Sequence, residues 1–527
     1  MPTRKKANPK KPKELFFATT QQKRIDMLKK IVLKGEQKKV LFLPPINPIQ
    51  IKGVAGSGKT TVALYRAKYL LETQNTLFQE AKIVIFTFNK TLAAYIRAIS
   101  PYINGGYQKE SDEINPKTPD GLNVQIINFH SWAFRFANLT FGHTVMQWEQ
   151  LDILELIKNK LTSNNSTILD KSAEFFQEEI SWIKGKLFKN KTEYIEAKRT
   201  GRGTTDRVSA DDKEVIWEVY DRYNLELKNR DKIDFDDYAI LCLKKIEQTQ
   251  DFQPPYTHII IDEAQDLNKA QILAISKLVS KETDSLSIIA DAAQRIYKSG
   301  FTWGEVGINV RGGRTIEFKK NYRNTVHIAR AALSLLEKEN DKSEFTEVET
   351  ALKGGGKPKV GYFSNNNEQM PQLHKEIDKL GKNGSLKSTI VLHRSNEGVK
   401  EIKAYLDSNG YSTELVKSNQ PINYGSDSIK ICTMSSVKGL EFNNVFIVDL
   451  NDDIIPYPPG FSEPNDEIHI STERRLLYTC MTRARNNLYL FSSGEPSRYL
   501  KEIENELLDN ISPNTKPNIE DTDDLPF

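Results

Sequence analysis

Short β-branched runs recur along the first half of the chain, each closed by a turn and followed by helical spacing. They are Ile49-Gln50-Ile51, Lys82 to Phe86, Val124 to Ile127, His258 to Ile261 and Leu286 to Ile289. Strands alternating with helices predict a parallel sheet. A second series (Thr315 to Phe318, Thr389 to Leu392, Ile429 to Cys432, Val445 to Val448, Leu488 to Phe491) predicts a second α/β domain. Between Trp132 and Asp262 no convincing strand occurs, and segments 147–160, 168–187 and 211–228 carry helical spacing instead. The expected organisation is a first α/β domain in two parts (15–134 and 236–312), a helical insertion between them (135–235) and a second α/β domain (313–505). A basic arm (1–14) and an acidic tail (506–527) lack apolar periodicity and read as disordered.

Composition changes this picture little. Of the 527 residues 38% are hydrophobic and 27% charged, and a net charge of +4 does not by itself announce a nucleic-acid binder. Cys242, Cys432 and Cys480 are far apart, so a disulfide framework, zinc knuckle or iron–sulfur cluster is not expected. No apolar run approaches bilayer-spanning length, and a cytoplasmic location with no membrane contact is the expectation.

The chemistry sits after the first strand. Gly53-Val54-Ala55-Gly56-Ser57-Gly58-Lys59-Thr60 fits G-x-x-x-x-G-K-S/T in full, between a strand and the helical run Thr61 to Leu70. In such a loop the glycines let backbone N–H groups close around phosphate oxygens at a helix N-terminus. Lys59 then reaches the β- and γ-phosphates of ATP, and the Thr60 hydroxyl ligates Mg²⁺. The metal also needs a carboxylate at a neighbouring strand end, which Ile259-Ile260-Ile261-Asp262-Glu263 supplies. Asp262 suits Mg²⁺, and Glu263 suits the activation of a water.

Further stretches, in one collinear order over roughly residues 20 to 500, carry a resemblance. Asp262-Glu263-Ala264-Gln265-Asp266, Asn321-Tyr322-Arg323-Asn324, Lys438-Gly439-Leu440-Glu441-Phe442 and Leu476-Leu477-Tyr478-Thr479-Cys480-Met481-Thr482-Arg483-Ala484 resemble motifs II, IV, V and VI of UvrD/Rep-like superfamily 1 helicases. Thr87-Phe88-Asn89-Lys90 is similar to motif Ia, Phe129-His130-Ser131-Trp132 to the next DNA-contacting motif, and Asp291-Ala292-Ala293-Gln294-Arg295-Ile296-Tyr297 to motif III. The resemblance implies two RecA-like P-loop domains around one ATP site. It implies that Gln22, or Gln21 in the alternative register, reads the adenine edge and that Tyr322 stacks on its face. Arg323 and Arg483 would be arginine fingers, Gln294 a γ-phosphate sensor, and Glu441 a ribose contact or a coupler of the two domains. Gly53, Ala55, Gly56, Ser57, Gly58 and Thr61 complete the expected nucleotide contacts.

For nucleic acid, Phe88, Asn89, His130 and Trp303 are the expected contacts, in loops after strands, whereas Trp132 and Tyr297 are better candidates for the core. Stacking at about 1–3 kcal/mol per base ignores sequence, and it ignores the sugar, so RNA stays open beside single-stranded DNA. The family steps 3′ to 5′. Asn128 and Ser435 depart from the family's threonine and histidine at positions facing nucleic acid. Only about forty residues separate His393 from Thr433, too few for the regulatory domain that large relatives insert there. The final Asp521-Thr522-Asp523-Asp524-Leu525-Pro526-Phe527 resembles the acidic tip of bacterial single-stranded DNA-binding protein and suggests a protein partner that docks on such a tip. The expected function is ATP-driven translocation on single-stranded DNA with strand separation, in repair, recombination or phage defence. The alternative is a DNA-activated ATPase switch subunit of a nuclease or defence complex.

Overall fold

The computed structural model describes residues 33, 35–74, 80–87, 124–140, 142–161, 166–197, 208–291, 301–338, 354–382, 386–416, 426–456 and 467–512. Among these, β1 (Ile49–Gly53), β2 (Ile83–Thr87), β3 (Val124–Asn128), β4 (His258–Ile261), β5 (Ser285–Ala290) and β6 (Thr315–Phe318) form a parallel sheet in the order β3-β2-β4-β5-β1-β6. The helices of this half are α1 (Lys59–Gln74), α2 (Phe129–Phe136), α3 (Gln147–Leu161), α4 (Ala173–Lys186), α5 (Lys191–Glu196), α6 (Ala210–Asn229), α7 (Asp237–Gln248) and α8 (Lys269–Ser276). Strands β4 and β5 are buried along their whole length, because helices cover both faces. That is why they read as unbroken apolar runs rather than alternating ones. One face packs Ile49, Ile51, Ile85, Ile260 and Ile289 against Val62, Ala63 and Leu70 of α1. The other packs Phe86, Ile127, Ile259 and Ile261 against α2, α7 and α8.

Helices α3 to α6 have a core of their own, running from Val145 to Leu227. Ser172 caps α4 by accepting from the Phe175 N–H, and Ser209 with Asp212 forms a capping box on α6. The two ends of this insertion are tied together, since Val145 N–H donates to Ile233 O and Ile233 N–H to His143 O. The three predicted helical segments correspond to α3, α4 and α6. Helices α5 and α7 lie outside those three segments.

The second sheet contains β7 (Lys359–Tyr362), β8 (Thr389–His393), β9 (Thr413–Leu415), β10 (Ile429–Thr433), β11 (Phe442–Ile447), β12 (Ala484–Ser492) and β13 (Asp509–Asn510). These strands are parallel, in the order β13-β7-β12-β11-β8-β10-β9. Its helices are α9 (Val326–Leu336), α10 (Asn366–Lys382), α11 (Asn396–Ser408), α12 (Glu467–Met481) and α13 (Arg498–Glu502). Between β8 and β10 the chain builds α11 and β9, and β9 pairs with β10 inside the same sheet.

Two expectations are corrected. Thr315–Phe318, assigned from its pattern to the second series, pairs with β1 in the first sheet, with Gln50 opposite Thr315 and Gly53 opposite Phe318. It satisfies the backbone groups on the free edge of β1, and Phe318 is buried in the first core. The first sheet therefore runs past residue 312, and the crossover to the second occupies 319–325. The tail beginning at 506 is not uniformly irregular either. Asp509 and Asn510 pair with Lys359 and Val360, and Tyr362 N–H donates to Ser512 Oγ at 2.8 Å. The same edge-strand demand on β7 explains it. The arm 1–14 and the terminal segment 513–527 lie outside the described residues, as do Gln21, Gln22, Phe88, Asn89, Gln294 and Tyr297.

His258 opens β4 in the core, with Nδ1 2.8 Å from Thr257 Oγ1. Burial, then the charge of Arg66, pushes its pKa down to about 4. The unfolded imidazole titrates near about 6.5, so as pH falls through that value the unfolded chain gains a proton that the folded state refuses until about 4. Stability should fall across this window, by on the order of 3 kcal/mol from this residue. Urea unfolding from pH 7.5 to 4.5 should show a shallower acid decline for His258→Gln. An identical decline would contradict the buried neutral imidazole.

A candidate nucleotide site between the two sheets

The phosphate loop leaves β1 at Gly53 and enters α1 at Lys59. Two glycines in it have left-handed backbone, Gly56 at φ 74° and Gly58 at φ 82°. Each is also a close approach: a Cβ on Gly56 would lie 2.2 Å from Asn321 Oδ1, and one on Gly58 2.3 Å from Gln37 Nε2. Glycine is therefore required by conformation at both positions, and at Gly56 also by the approach of Asn321 and the Arg323 Cβ. The Gly56 carbonyl accepts from the Tyr322 N–H at 3.0 Å, which ties the crossover to the loop.

Lys59 is buried, and its ammonium donates to Gly53 O (2.8 Å), Val54 O (3.1 Å) and the Asp291 carboxylate (2.8 Å). The Thr60 hydroxyl donates to Asp262 Oδ2 at 2.8 Å. Asp262 stands just past β4, and Glu263 follows in left-handed backbone at φ 56°. A non-glycine residue held there is the kind of strain that accumulates at functional sites. Gln265 donates to the Glu263 carboxylate, and its Oε1 accepts from the Asp291 N–H at 2.9 Å.

From the second half come Arg323, Glu441 and Arg483. Arg323 donates to Thr482 O (3.3 Å) and to Glu441, and Arg483 Nε donates to Thr479 O (2.9 Å). A buried ion pair, Asp266 with Lys438, crosses directly between the two halves. The cleft so formed is lined by Gly56, Gly58, Lys59, Thr60, Thr61, Glu263, Arg323, Gly439, Glu441 and Arg483.

Burial, then the neighbouring Glu263 charge, raises the Asp262 pKa to about 7. Burial pushes Glu263 upward too, but Lys438, Lys59 and Arg483 outweigh it and hold the carboxyl below its usual value. Arg483 is lowered to about 10 by burial and by the Arg323 charge beside it. Glu441 is partly buried, yet Arg323 and Arg485 keep it well below the carboxylate range.

The residues fit a magnesium nucleotide. The Thr60 hydroxyl and a buried Asp262 carboxylate short of positive charge form a pair that a hard cation would suit. The Ser57 hydroxyl in the loop is buried without a hydrogen-bond partner. Among the described residues no three His, Cys, Asp or Glu side chains gather as a metal cage, so phosphate oxygens and water would complete the coordination.

The sequence-derived set is therefore largely brought together: Gly53 to Thr61, Asp262, Glu263, Arg323, Glu441 and Arg483 surround one cleft. The Tyr322 ring is half-buried against Gly35, with its hydroxyl lacking a partner. His130 and Trp303 lie elsewhere, and the expectation that they occupy loops is corrected. His130 sits in the first turn of α2, edge-on to Phe235 (5.7 Å) and Tyr238 (5.9 Å). Trp303 opens a short 3-10 helix and meets Phe301 edge-on at 5.5 Å. Trp132 is core, stacked on Phe136 at 4.7 Å.

Sequence reasoning missed three participants. Gln37, in the 3-10 helix Gly35–Phe42, is buried and donates to Ser57 O at 2.6 Å. Asp291 was quoted within a motif but given no part, although it pairs with Lys59. Arg485 grips Glu441. For Gln37 the available signal was a glutamine shortly before the loop strand. The other two depend on contacts over a long sequence separation.

Two parallel sheets that share one phosphate loop and present two arginines to it define a RecA-like P-loop protein of two domains. The chain belongs to the UvrD/Rep helicase family: the UvrD/REP helicase N-terminal domain matches residues 33–305, and the UvrD-like helicase C-terminal domain matches 316–421 and 412–495. It is 25% identical over 399 residues to the "Probable DNA helicase II homolog" of Mycoplasma capricolum, covering 73% of this chain and 52% of that protein. It is 25% identical to the ATP-dependent DNA helicase PcrA of Staphylococcus epidermidis (66% and 46%) and to the ATP-dependent DNA helicase UvrD1 of Mycobacterium tuberculosis (70% and 48%). The chain thus spans about half the length of the curated relatives it matches. No described helix is long and apolar enough to cross a membrane.

Placement of Trp132 in the core has a measurable consequence. Trp132→Ala should cost about 3–5 kcal/mol of stability in chemical unfolding, as for other buried large-to-small changes. A variant that unfolds with the parent's midpoint would contradict that placement.

Proposed function

We propose that this protein hydrolyses ATP to move along single-stranded DNA in the 3′ to 5′ direction and to separate strands. The observation that carries the reading is the convergence of Lys59 and Glu263 from one half with Arg323 and Arg483 from the other on a single cleft. Lys59 exchanges the Gly53 and Val54 carbonyls and Asp291 for the β- and γ-phosphate oxygens. Thr60 and Asp262 would hold Mg²⁺, which supplies neutralisation of phosphate charge. Glu263, kept ionised by three cations, orients the attacking water and accepts its proton. Arg323 and Arg483 meet the negative charge that develops on the transferred group. Gln294 would sense the γ-phosphate, and Gln22 and Tyr322 would hold the adenine.

Because the arginines and the loop belong to different halves, their spacing couples hydrolysis to closure of the cleft. Phe88, Asn89, His130 and Trp303 would form the stacking track for the bases. The relatives named as DNA helicases favour DNA over RNA. The terminal Asp521–Phe527 segment would dock on a partner that reads acidic Pro-Phe tips, and deletion of Phe527 should abolish that binding.

ATP turnover should be low alone and rise with single-stranded DNA. A 3′-tailed duplex should be unwound in preference to a 5′-tailed one. Lys59→Ala should abolish both activities. Arg323→Ala and Arg483→Ala should each lower kcat by on the order of 10²–10³ while leaving ATP binding largely intact. ATP left intact by the parent protein with every polynucleotide would defeat the reading, and arginine variants with unchanged kcat would defeat the finger assignment.

A further inference from the structure

Glu441 raises an electrostatic difficulty that the ATPase reading leaves open. A carboxylate on the wall of a triphosphate pocket repels the ligand. One paired with Arg323 also cancels most of the field that Arg323 could offer a phosphate. The arrangement contains a remedy. Glu441 Oε1 accepts from Arg323 Nη2, whereas Oε2 accepts from Arg485 Nε (3.0 Å) and Nη2 (2.5 Å). Arg485 is the second residue of β12, and its side chain is 48% exposed against 19% for Glu441 and 12% for Arg323. The three groups therefore run from solvent to cleft as cation, anion, cation. Arg323, Glu441 and Arg483 line the cleft, and Arg485 stands behind them. Main-chain geometry holds the arrangement in place: Phe442 is registered with Ala484, and Phe442 N–H donates to Arg483 O at 3.1 Å. Asn324 Nδ2 donates to Thr482 O at 3.0 Å and to Ala484 O, which fixes the Arg323 segment against the same strand start.

We propose that Arg485 is a positioning residue that neutralises Glu441 from the solvent side, so that Glu441 aims the Arg323 guanidinium without extinguishing its charge. Two guanidinium groups donate to one carboxylate, so Arg485 takes up Glu441 charge that Arg323 would otherwise balance alone. The bidentate fork explains arginine at this position, since a single ammonium cannot hold one oxygen in plane with two donors. The bland alternative is a half-exposed ion pair of little consequence. The inference rests on the ATPase reading above and separates from it by experiment.

The test is steady-state ATP turnover by the full chain at saturating single-stranded DNA, with melting temperatures for every variant. Arg485→Gln should lower kcat about tenfold, the scale of one charge-assisted hydrogen bond, with KM for ATP changed far less. Arg485→Lys should recover part of the loss. The decisive variant is Glu441→Gln combined with Arg485→Gln. With no carboxylate left to neutralise, it should turn over faster than Arg485→Gln alone, which a purely structural role for Arg485 does not produce. Equal kcat for Arg485→Gln and parent would overturn the proposal, and so would a double variant no faster than Arg485→Gln. If Arg485→Gln fails to fold, the neutral Arg485→Met with and without Glu441→Gln gives the same comparison. Parent turnover that Lys59→Ala abolishes, beside an unaffected Arg485→Gln, removes this inference alone. A parent without turnover removes the ATPase reading together with it.

Discussion

Charge compensation in the cleft between the two sheets is the constraint on which the rest depends. Lys59, Lys438, Arg323 and Arg483 are buried or nearly so, as are Asp262, Glu263, Asp266, Asp291 and Glu441. None of these groups could be withdrawn from water singly at tolerable cost. They are accommodated by pairing, within a half in Lys59–Asp291 and Arg323–Glu441, and across the halves where Lys438 meets Asp266 and Arg483 faces Glu263. The relative placement of the sheets is thereby tied to electrostatics as well as to packing. A ligand that carries several negative charges would alter this balance at its centre, and so would bear directly on how the halves sit together.

The remainder of the fold serves that placement. Parallel strands covered on both faces bring the phosphate loop and the Asp262-Glu263 pair to the same sheet edge. Strand β6 carries the chain from the end of the first sheet past Gly56, and the crossover delivers Arg323 within reach of the loop. The start of β12 brings Arg483 to the cleft and Arg485 to the Glu441 carboxylate. The helical insertion keeps a core of its own, is tied at His143–Val145 to Ile233, and meets the first domain again at the end of α4, where Gly185 lies close to Asn268 and Lys186 pairs with Glu305.

Much of the site was legible in the sequence because its parts are local. A phosphate loop is eight consecutive residues, and a strand-end Asp-Glu pair is five or six, so motif and mechanism lie in one window. The collinear motifs extended this to Arg323 and Arg483, which lie far away in the chain. What stayed hidden was set by long-range geometry. Thr315-Ile316-Glu317-Phe318 has the same alternation whichever sheet it joins, and only the free edge of β1 decides. Asp509 and Asn510 look like tail until β7 offers an edge. Gln37 and Arg485 are ordinary polar residues until folding brings one to Ser57 and the other to Glu441. His130 and Trp132 share a four-residue motif, yet a helical turn sends Trp132 into the core and leaves His130 half exposed.

The most direct test of the account is an experimental structure of the protein with magnesium, ADP and a planar or tetrahedral fluoride mimic of the transferred phosphate. The account predicts Lys59 and both guanidinium groups, Arg323 and Arg483, within hydrogen-bond distance of the mimic, with Thr60 and Asp262 on the metal side. A mimic bound by the loop alone, with either arginine turned away from it, would contradict the claim that the two sheets act on one triphosphate.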